Sequence, residues 1–354
     1  MAGNAADYTR AFGQPDTAGC PLINGARIPV LEFLHLCAES VSDDMAAPGW
    51  TPELRQLRDR FLAGGLMALS DLARAEDWLQ FGLRPSVAGQ RRDLYGADMY
   101  AAMEGLARNV LGNGLAKDFF FMHKPPGIQM RIQARTGGIV EIREMLVDKI
   151  SDWVSSGLIA EFQYGVYEPE NYLFGGPALM EWVHRLFTAD SRVWLGHHSR
   201  TGQQTQASPE PASWALSLIM IKGMLAALGV SGWEKIDVWD RIRRAGRSLG
   251  ERSRSDTGVA QLASALRQGW SDTERLVASL APSSRALVLD HRTAVQRLGA
   301  EWRHGYFESA DASIGPREAA ALVIIFHWNR AGLSPLLQAV IAEALADRKN
   351  GVPR

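Results

Sequence analysis

The chain has 354 residues, of which 46% are hydrophobic and 22% are charged, and its formal net charge is −1. This length holds one large domain or two ordinary ones, and the composition is that of a globular protein rather than a disordered or fibrous one. The near-neutral charge disfavours tRNA or DNA as the main partner, because proteins that grip long nucleic acids carry a basic surplus.

Features that report on cellular location favour the cytoplasm. Cys20 and Cys37 have neither the spacing of metal ligands nor the density of a disulfide framework, which fits a reducing compartment. The N-terminus lacks an apolar segment behind a basic start, so we expect no secretory signal. The most apolar run, 214–230, is interrupted by Lys222 and is too short to span a membrane, so it is predicted to be a buried core helix.

Helical spacing of apolar residues dominates the chain from residue 28 to about residue 111. Arg84-Pro85-Ser86 is predicted to end one helix, a further helix is expected over 95–111, and the glycines at 112 and 114 end it. We therefore expect a helical N-terminal region, 1–114, packed on a core formed by 115–354 as one compact unit.

Strand patterns follow at 118–124, 128–134 and 159–167, with an amphipathic helix over 139–154 between the second and the third. The order β-β-α-β predicts a small sheet with the helix on one side. Further helices are predicted at 177–187, 213–228, 233–249, 258–280, 284–306 and 316–345. The expected fold class is α+β, mainly helical with a small central sheet.

Two segments stand apart from this generic pattern. FFFMHKPPGIQMRI, at 119–132, places two extended arms around a Pro-Pro-Gly turn, and YEPENYLFGGP, at 167–177, combines two carboxylates, two phenols and a glycine corner. LFTADSRVWL and HWNRAGL follow farther along the chain. The four segments, in this order over roughly 118–333, resemble the motifs of the C-terminal elimination domain of lantibiotic dehydratases. The resemblance implies that the chain has the fold of that domain.

Stand-alone members of this superfamily with an extra helical N-terminal region include the thiopeptide pyridine synthases. These enzymes join two dehydroalanines of a modified peptide in a formal [4+2] aza-cycloaddition. The sequence resembles them more than the elimination domains because it lacks polar groups that the elimination domains carry. In the YEPENYLFGGP segment, Leu173 and Phe174 replace an arginine before Tyr-Gly-Gly. At the start of the second strand, Gly127-Ile128-Gln129 replaces His-Leu-Arg, and only Arg131 is kept. In the closing motif, Ile325 replaces a histidine four residues before Asn329.

These losses bear on the reaction. Removing glutamate from a glutamylated serine or threonine requires cations for the leaving carboxylate and an acid/base group for the α-proton. The cycloaddition requires one amide to shift to its iminol form and two dehydroalanines to be held in a near-attack geometry. Neutral donors and acceptors can supply those proton shifts, and no cofactor or metal is expected. Loss of water and of the leader peptide then gives a pyridine-centred macrocycle.

The resemblance and this chemistry predict the catalytic residues Arg131, Tyr167, Glu170, Tyr172 and His327. Each also has an ordinary structural interpretation. Arg131 could form an internal ion pair with Glu170 or its neighbour Glu168, the tyrosines could pack at strand ends, and His327 could be a satisfied core histidine.

Six further residues are predicted to contact the substrate: Gln129, His123, Asp190, Ser191, His198 and Arg330. Asp190 and Ser191 also fit the N-cap of a helix. His198 and its neighbour His197 are expected in a polar loop, where a mobile cover of the cleft is favoured over a metal site because no third ligand stands at a suitable spacing.

A basic run at 240–256 is predicted to dock the leader through Arg241, Arg244 and Arg247, with a solvated charged face as the alternative. The expected partner is a precursor peptide with a leader and a core that carries dehydroalanines and azoles, and a homodimer is left open. The competing functions are the glutamate-eliminating subunit of a split tRNA-dependent dehydratase and a non-catalytic peptide-binding homologue. A tRNA-dependent aminoacyl ligase is disfavoured by the lack of a basic surface.

Overall fold

A computed structural model of the chain describes residues 22–23, 26–27, 33–35, 37, 52, 55–65, 77–86, 95–125, 127–201, 212–309 and 312–346. The chain divides into two compact units, Met1–Ala73 and Arg74–Arg354. In the first unit, Leu22–Ile23 pairs antiparallel with Ala26–Arg27, and residues 55–65 are helical. The predicted domain boundary at residue 114 stays a prediction.

The second unit contains a four-stranded antiparallel sheet. Its strands are β1 (Trp78–Pro85), β2 (Ala116–Lys124), β3 (Gly127–Ala134) and β4 (Ile159–Gly165). Their order across the sheet is β2-β3-β1-β4, so that β2 and β4 form the edges. The three predicted strands are confirmed, and β2 and β3 form the predicted pair around the Pro-Pro-Gly turn, with Lys124 opposite Gly127.

Strand β1 was not predicted, and the interpretation of Arg84-Pro85-Ser86 as the end of a helix was wrong. Every second residue of β1 is buried, namely Leu79, Phe81 and Leu83, as expected for a strand with one face on the core. Pro85 is tolerated because it is the last residue of the strand, where the pairing with β4 shifts register. A segment expected to be helical therefore supplies an inner strand.

Helices make up most of the remainder. They are α1 (Ala97–Gly112), α2 (Ile139–Ser155), α3 (Pro177–Thr201), α4 (Ser213–Ala227), α5 (Trp233–Arg244), α6 (Glu251–Arg254), α7 (Thr257–Ser271), α8 (Thr273–Ser279), α9 (Pro282–Trp302), α10 (Pro316–Arg330) and α11 (Pro335–Ala346). The predicted α1, α2 and α4 are confirmed. Two long predicted helices are each divided, at Asp272 between α7 and α8 and near Gly332 between α10 and α11.

Helix α3 is longer than predicted and changes the position of four polar residues. It continues past residue 187 to Thr201, so Asp190 and Ser191 lie in its interior and the interpretation as an N-cap was wrong. His197 and His198 also lie in this helix and are buried, so the predicted polar loop was wrong at both positions.

Helix α4 is apolar on all sides and forms part of the core, as predicted for 214–230. It packs against α9, and α9 in turn packs on α3, which also contacts α1 and strand β2. In the part of the chain that the structure describes, no helix is both long enough and apolar enough to cross a bilayer.

Candidate functional site

Side chains from two helices close the outer edge of strand β2. The backbone N–H of Phe121 donates to Ser191 Oγ on α3 at 3.4 Å. On α10, Asn329 Oδ1 accepts from the backbone N–H of His123 and Asn329 Nδ2 donates to the carbonyl of His123, both at 2.8 Å. Because an edge strand otherwise leaves backbone groups unpaired, these contacts fix α3 and α10 to the sheet.

Asp190 is the centre of a buried polar network between α3, α4 and α10. Its carboxylate accepts hydrogen bonds from His327 Nδ1 and from Arg330 Nε, each at 2.6 Å, and His327 Nε2 lies 2.9 Å from Ser217 Oγ. Burial by itself would raise the pKa of Asp190, but His327 and Arg330 outweigh it and hold that pKa well below its ordinary value. The ionised carboxylate therefore compensates a guanidinium that is 0% exposed.

Ser217, His327 and Asp190 share the hydrogen-bond order of a Ser-His-Asp nucleophile system. Ser217 is 0% exposed, however, and its hydroxyl also accepts from Trp328 Nε1 at 3.1 Å. The adjoining cavity has a volume of about 10 Å³, which is room for about one water molecule. A peptide cannot reach this hydroxyl, so we assign these residues to the support of the fold.

One histidine joins α3 to α10, and another joins β2 to α10. His198 is buried, and its Nε2 donates to the carbonyl of Arg330 at 2.8 Å. His123 Nδ1 donates to the carbonyl of Asn329 at 2.7 Å, and its Nε2 lies 2.8 Å from Tyr100 Oη. Burial raises the pKa of Tyr100 and lowers that of His198 well below its ordinary range, so both side chains are neutral.

A second polar cluster surrounds Arg131 on β3. Arg131 Nε donates to Gln80 Oε1 at 2.7 Å, and its Nη2 donates to Gln129 Oε1 at 3.0 Å, so the two predicted residues of this strand lie together. The guanidinium lies 4.5 Å from the centroid of the Tyr167 ring, whose hydroxyl is 2.7 Å from His184 Nε2. Burial lowers the pKa of His184 to about 3 and raises that of Tyr167, so the tyrosine donates to a neutral imidazole.

The segment between β4 and α3 carries the remaining predicted residues. Burial lowers the pKa of Arg131, whereas the charge of Glu170 acts to raise it. The hydrogen-bond partners of the Arg131 guanidinium are nevertheless the side-chain amides of Gln80 and Gln129, not Glu170. Among the described residues, Glu170 Oε2 has no hydrogen-bond partner. The side chain of Tyr172 is 96% exposed. Gly175 has a φ of +77°, and a Cβ there would lie 2.6 Å from Ser313 Oγ, so the glycine corner is a requirement of the backbone.

A cavity lined by described residues has a volume of about 510 Å³, within the usual range for ligand sites. It opens where the turn after β2 meets the end of α10 and the start of α11. The residues lining it are Tyr95, Met122, His123, Lys124, Pro125, Gly127, Arg247, Ile325, Phe326, Asn329, Gly332, Leu333, Ser334, Pro335 and Gln338. Residues from the first and last sequence motifs and from the basic run thus meet in one place.

Close packing explains one departure from the elimination-domain pattern. A Cβ on Gly127 would lie 2.0 Å from the carbonyl oxygen of Leu83 and 3.0 Å from Pro85 Cδ. Strand β1 therefore lies too near to admit a histidine at this position without a shift of the sheet. Since β1 was not predicted, the sequence alone could not give this reason.

The predicted leader-binding arginines have different environments. Arg241 and Arg244 form ion pairs with carboxylates of their own helix, at 3.0 and 3.1 Å respectively. Arg247 instead donates from Nε to Gln338 Oε1 at 3.0 Å and lines the cavity. Binding of a leader by these residues stays a prediction.

Sequence reasoning missed the residues that complete these networks: Gln80, Tyr100, His184, Ser217, His291, Lys124 and Gln338. Most lie within apolar helices or strands and have partners far away in the chain, so no local pattern marks them. Among the described residues, no group of three or more His, Cys, Asp or Glu side chains is placed to hold a metal ion.

Comparisons with known proteins agree with the fold. The family described as Lantibiotic biosynthesis dehydratase C-term matches residues 78–348. The crystal structure of the tRNA dependent lantibiotic dehydratase MibB from Microbispora sp. 107891 is similar, with a TM-score of 0.52 and 18% sequence identity over 76% of this chain. The likeness covers 28% of the MibB chain, and at this identity it concerns the fold alone. No match was found among curated protein sequences.

Proposed function

Since the chain belongs to the lantibiotic biosynthesis dehydratase C-terminal family, we propose that it is a thiopeptide pyridine synthase. The substrate in this proposal is a modified precursor peptide with azoles, two dehydroalanines and a leader. One dehydroalanine and the amide before it react in the iminol form as a 2-azadiene with the second dehydroalanine. Loss of water and release of the leader as a carboxamide then aromatise the ring, without a redox cofactor.

Ile325 in the cavity wall is the observation that carries this proposal. The side chain lines the cavity at the position where the elimination domains resembled by this sequence carry a histidine. An elimination requires a group that takes the α-proton, and a branched alkyl side chain cannot do so. The cycloaddition has no such requirement at this position.

His123 does not replace the missing base. It is the one imidazole among the described residues that line the cavity, and both of its ring nitrogens are hydrogen-bonded, to the carbonyl of Asn329 and to Tyr100. Lys124 and Arg247 supply cations of the kind that an elimination requires for its leaving carboxylate, so these two residues do not argue against that reaction. The scarcity of proton-transfer groups is what favours ring closure.

The same cavity contains neutral groups suited to holding a peptide. Asn329, Ser334 and Gln338 bring amide and hydroxyl groups to its wall, and Tyr95 adds a phenol whose pKa burial raises, so that it stays a donor. Holding two alkenes at reacting distance supplies a large part of the rate of an intramolecular addition.

We assign two kinds of role to the predicted residues. The described lining of the cavity contains none of Arg131, Gln129, Tyr167, Glu170 and Tyr172. In this proposal the bound peptide extends beyond the cavity, where Arg131, with Gln129, orients peptide carbonyls, and Tyr167, Glu170 and Tyr172 serve proton shifts. The buried residues His327, Asp190, Ser191, His198 and Arg330 act as positioning residues, because their polar groups hold α3 and α10 against β2. Arg241 and Arg244 remain proposed contacts for the leader.

Mass spectrometry tests the proposal with two synthetic peptides. One carries an azole, a leader and two dehydroalanines, and the other carries a glutamylated serine. The expected result is loss of one water and release of a leader carboxamide from the first peptide, with the second unchanged. Conversion of the second peptide to a dehydroalanine product would instead establish elimination, and binding without conversion of either would establish a non-catalytic binding protein.

Variants at Arg131 test its assignment. Arg131→Ala should lower the rate of cyclisation strongly while the circular dichroism spectrum stays that of a folded protein. Arg292→Gln is the matched control, because Arg292 forms its ion pair with Glu274 outside both polar clusters. Unchanged turnover of a folded Arg131→Ala protein would remove Arg131 from the site.

A further inference from the structure

The 510 Å³ cavity has an unbalanced set of charged side chains. Its described lining contains one lysine, Lys124, and one arginine, Arg247, and no aspartate or glutamate. Cations in a concave, partly desolvated site raise the local concentration of anions and bind them more strongly than cations on an open surface do. The cavity is therefore electrostatically suited to an anionic group.

Arg247 differs from those other arginines of the basic run whose side chains the structure describes. Arg243 and Arg254 both pair with Glu343, at 3.8 and 3.2 Å, and Arg244 pairs with Asp240 at 3.1 Å. Arg247 has a carboxamide partner, which orients the guanidinium without neutralising it. Its charge therefore remains available to a ligand.

Gln338 is itself held in place. It is 7% exposed, and its Nε2 donates to the carbonyl of Leu333 at 2.7 Å, which directs its Oε1 to Arg247 Nε. A second contact, from Arg247 Nη1 to the carbonyl of Ala245 at 3.3 Å, further limits the orientation of the guanidinium. A preorganised guanidinium recognises the planar, two-oxygen geometry of a carboxylate better than a mobile one does.

We propose that Arg247 and Lys124 form a carboxylate-binding subsite of the cavity. The ligand is a carboxylate of the bound peptide, either an acidic side chain or a chain terminus. That this carboxylate belongs to a peptide rests on the proposed function, whereas the binding of a carboxylate does not. Arg247 supplies the oriented hydrogen bonds, and Lys124, the exposed last residue of β2, supplies a second charge.

Three small probes test the subsite on the full-length protein. N-acetylglutamic acid N-methylamide presents a side-chain carboxylate, N-acetylalanine presents a terminal carboxylate, and N-acetylglutamine N-methylamide is a neutral isostere of the first. Dissociation constants are measured by ligand-observed NMR. At least one carboxylate probe should bind about tenfold more tightly than the neutral isostere, as expected for one charge-assisted interaction.

Variants connect this preference to the two cations. Arg247→Gln should abolish the preference for carboxylate, Arg247→Lys should retain part of it, and Arg292→Gln should leave it unchanged. Lys124→Gln alters an exposed residue at the end of β2, so it tests the subsite even if the Arg247 variants fold poorly. Equal affinity for all three probes, or an undiminished preference in folded Arg247→Gln and Lys124→Gln proteins, would overturn the proposal.

The two carboxylate probes also identify the source of the ligand. Tighter binding of the glutamate probe indicates an acidic side chain, tighter binding of N-acetylalanine indicates a chain terminus, and equal binding indicates a site for either. Because these measurements need no turnover, they separate the two proposals. A protein that binds carboxylate but does not close a ring would refute the proposed function alone.

Discussion

Replacement of Asp190 by alanine should strongly destabilise the protein. The carboxylate accepts two hydrogen bonds of 2.6 Å, and one of its partners, Arg330, is 0% exposed. Without Asp190, the guanidinium has no counterion in its buried position. Removing one partner of a buried ion pair costs about 3–5 kcal/mol, so we expect a loss of this size in the free energy of unfolding.

Urea denaturation followed by circular dichroism at neutral pH measures this loss. The matched control is Asp240→Asn, which removes a charge from partly exposed ion pairs with Arg243 and Arg244 and should cost at most about 1 kcal/mol. The double variant Asp190→Leu with Arg330→Met should be more stable than Asp190→Ala, because no charge is left buried. An Asp190→Ala protein within about 1 kcal/mol of the wild type would refute the reasoning.

The pH dependence of this contribution has a definite sign. The pKa of Asp190 in the folded state is held below its unfolded value of about 3.9, so the folded protein binds fewer protons in the acid range. The stabilisation is fully present above that unfolded value and is lost as the pH falls through the folded pKa. Comparing unfolding of the wild type and Asp190→Asn as the pH is lowered should show the difference shrinking; a difference that grows would contradict it.

Three further predictions follow from single contacts. Burial lowers the pKa of His291 to about 4, so the unfolded chain binds more protons than the folded protein between about pH 6.5 and pH 4. The free energy of unfolding, measured by urea titration, should therefore fall as the pH is lowered through that range, and it should fall less steeply in His291→Gln than in the wild type. An equal slope for the two proteins would count against this assignment. Gly127→Ala should destabilise the protein by more than about 2 kcal/mol, because the added Cβ would lie 2.0 Å from the carbonyl oxygen of Leu83. Gly112→Ala is the control: a Cβ there meets no atom within 4 Å, so thermal unfolding should be nearly unchanged. Asn329→Ala removes two hydrogen bonds of 2.8 Å to the backbone of His123 and should lower the free energy of unfolding by about 2 kcal/mol. The backbone amide of His123 should then exchange its hydrogen faster than in the wild type. Unchanged protection of this amide would contradict the contact.

The sequence was sufficient for those parts of the fold with a local signal. The strands β2 and β3 were predicted because apolar and β-branched residues flank a Pro-Pro-Gly turn, and α2 because its apolar stripe repeats at helical spacing, with Ile142, Leu146 and Ile150 fully buried. Strand β1 was missed although Leu79, Phe81 and Leu83 occupy alternate positions, because the helical pattern before it and Pro85 at its end suggested the end of a helix.

The polar networks could not be predicted from local patterns. Asp190 lies in the middle of a helix, and its partners His327 and Arg330 lie 137 and 140 residues away. An Asp-Ser pair has the composition of a helix cap, and only the tertiary structure shows that Ser191 instead binds the edge of β2. Resemblance placed these residues in one site, and the structure shows that their polar groups join α3 to α10 and to the edge of β2.

The most direct test of the central claim is a competition in one reaction. The purified protein receives equal amounts of an azole-containing peptide with a leader and two dehydroalanines and of a glutamylated-serine peptide, and both are followed by mass spectrometry. We predict that the first loses one water and its leader carboxamide while the second persists. Release of glutamate from the second, with the first unchanged, would contradict the account.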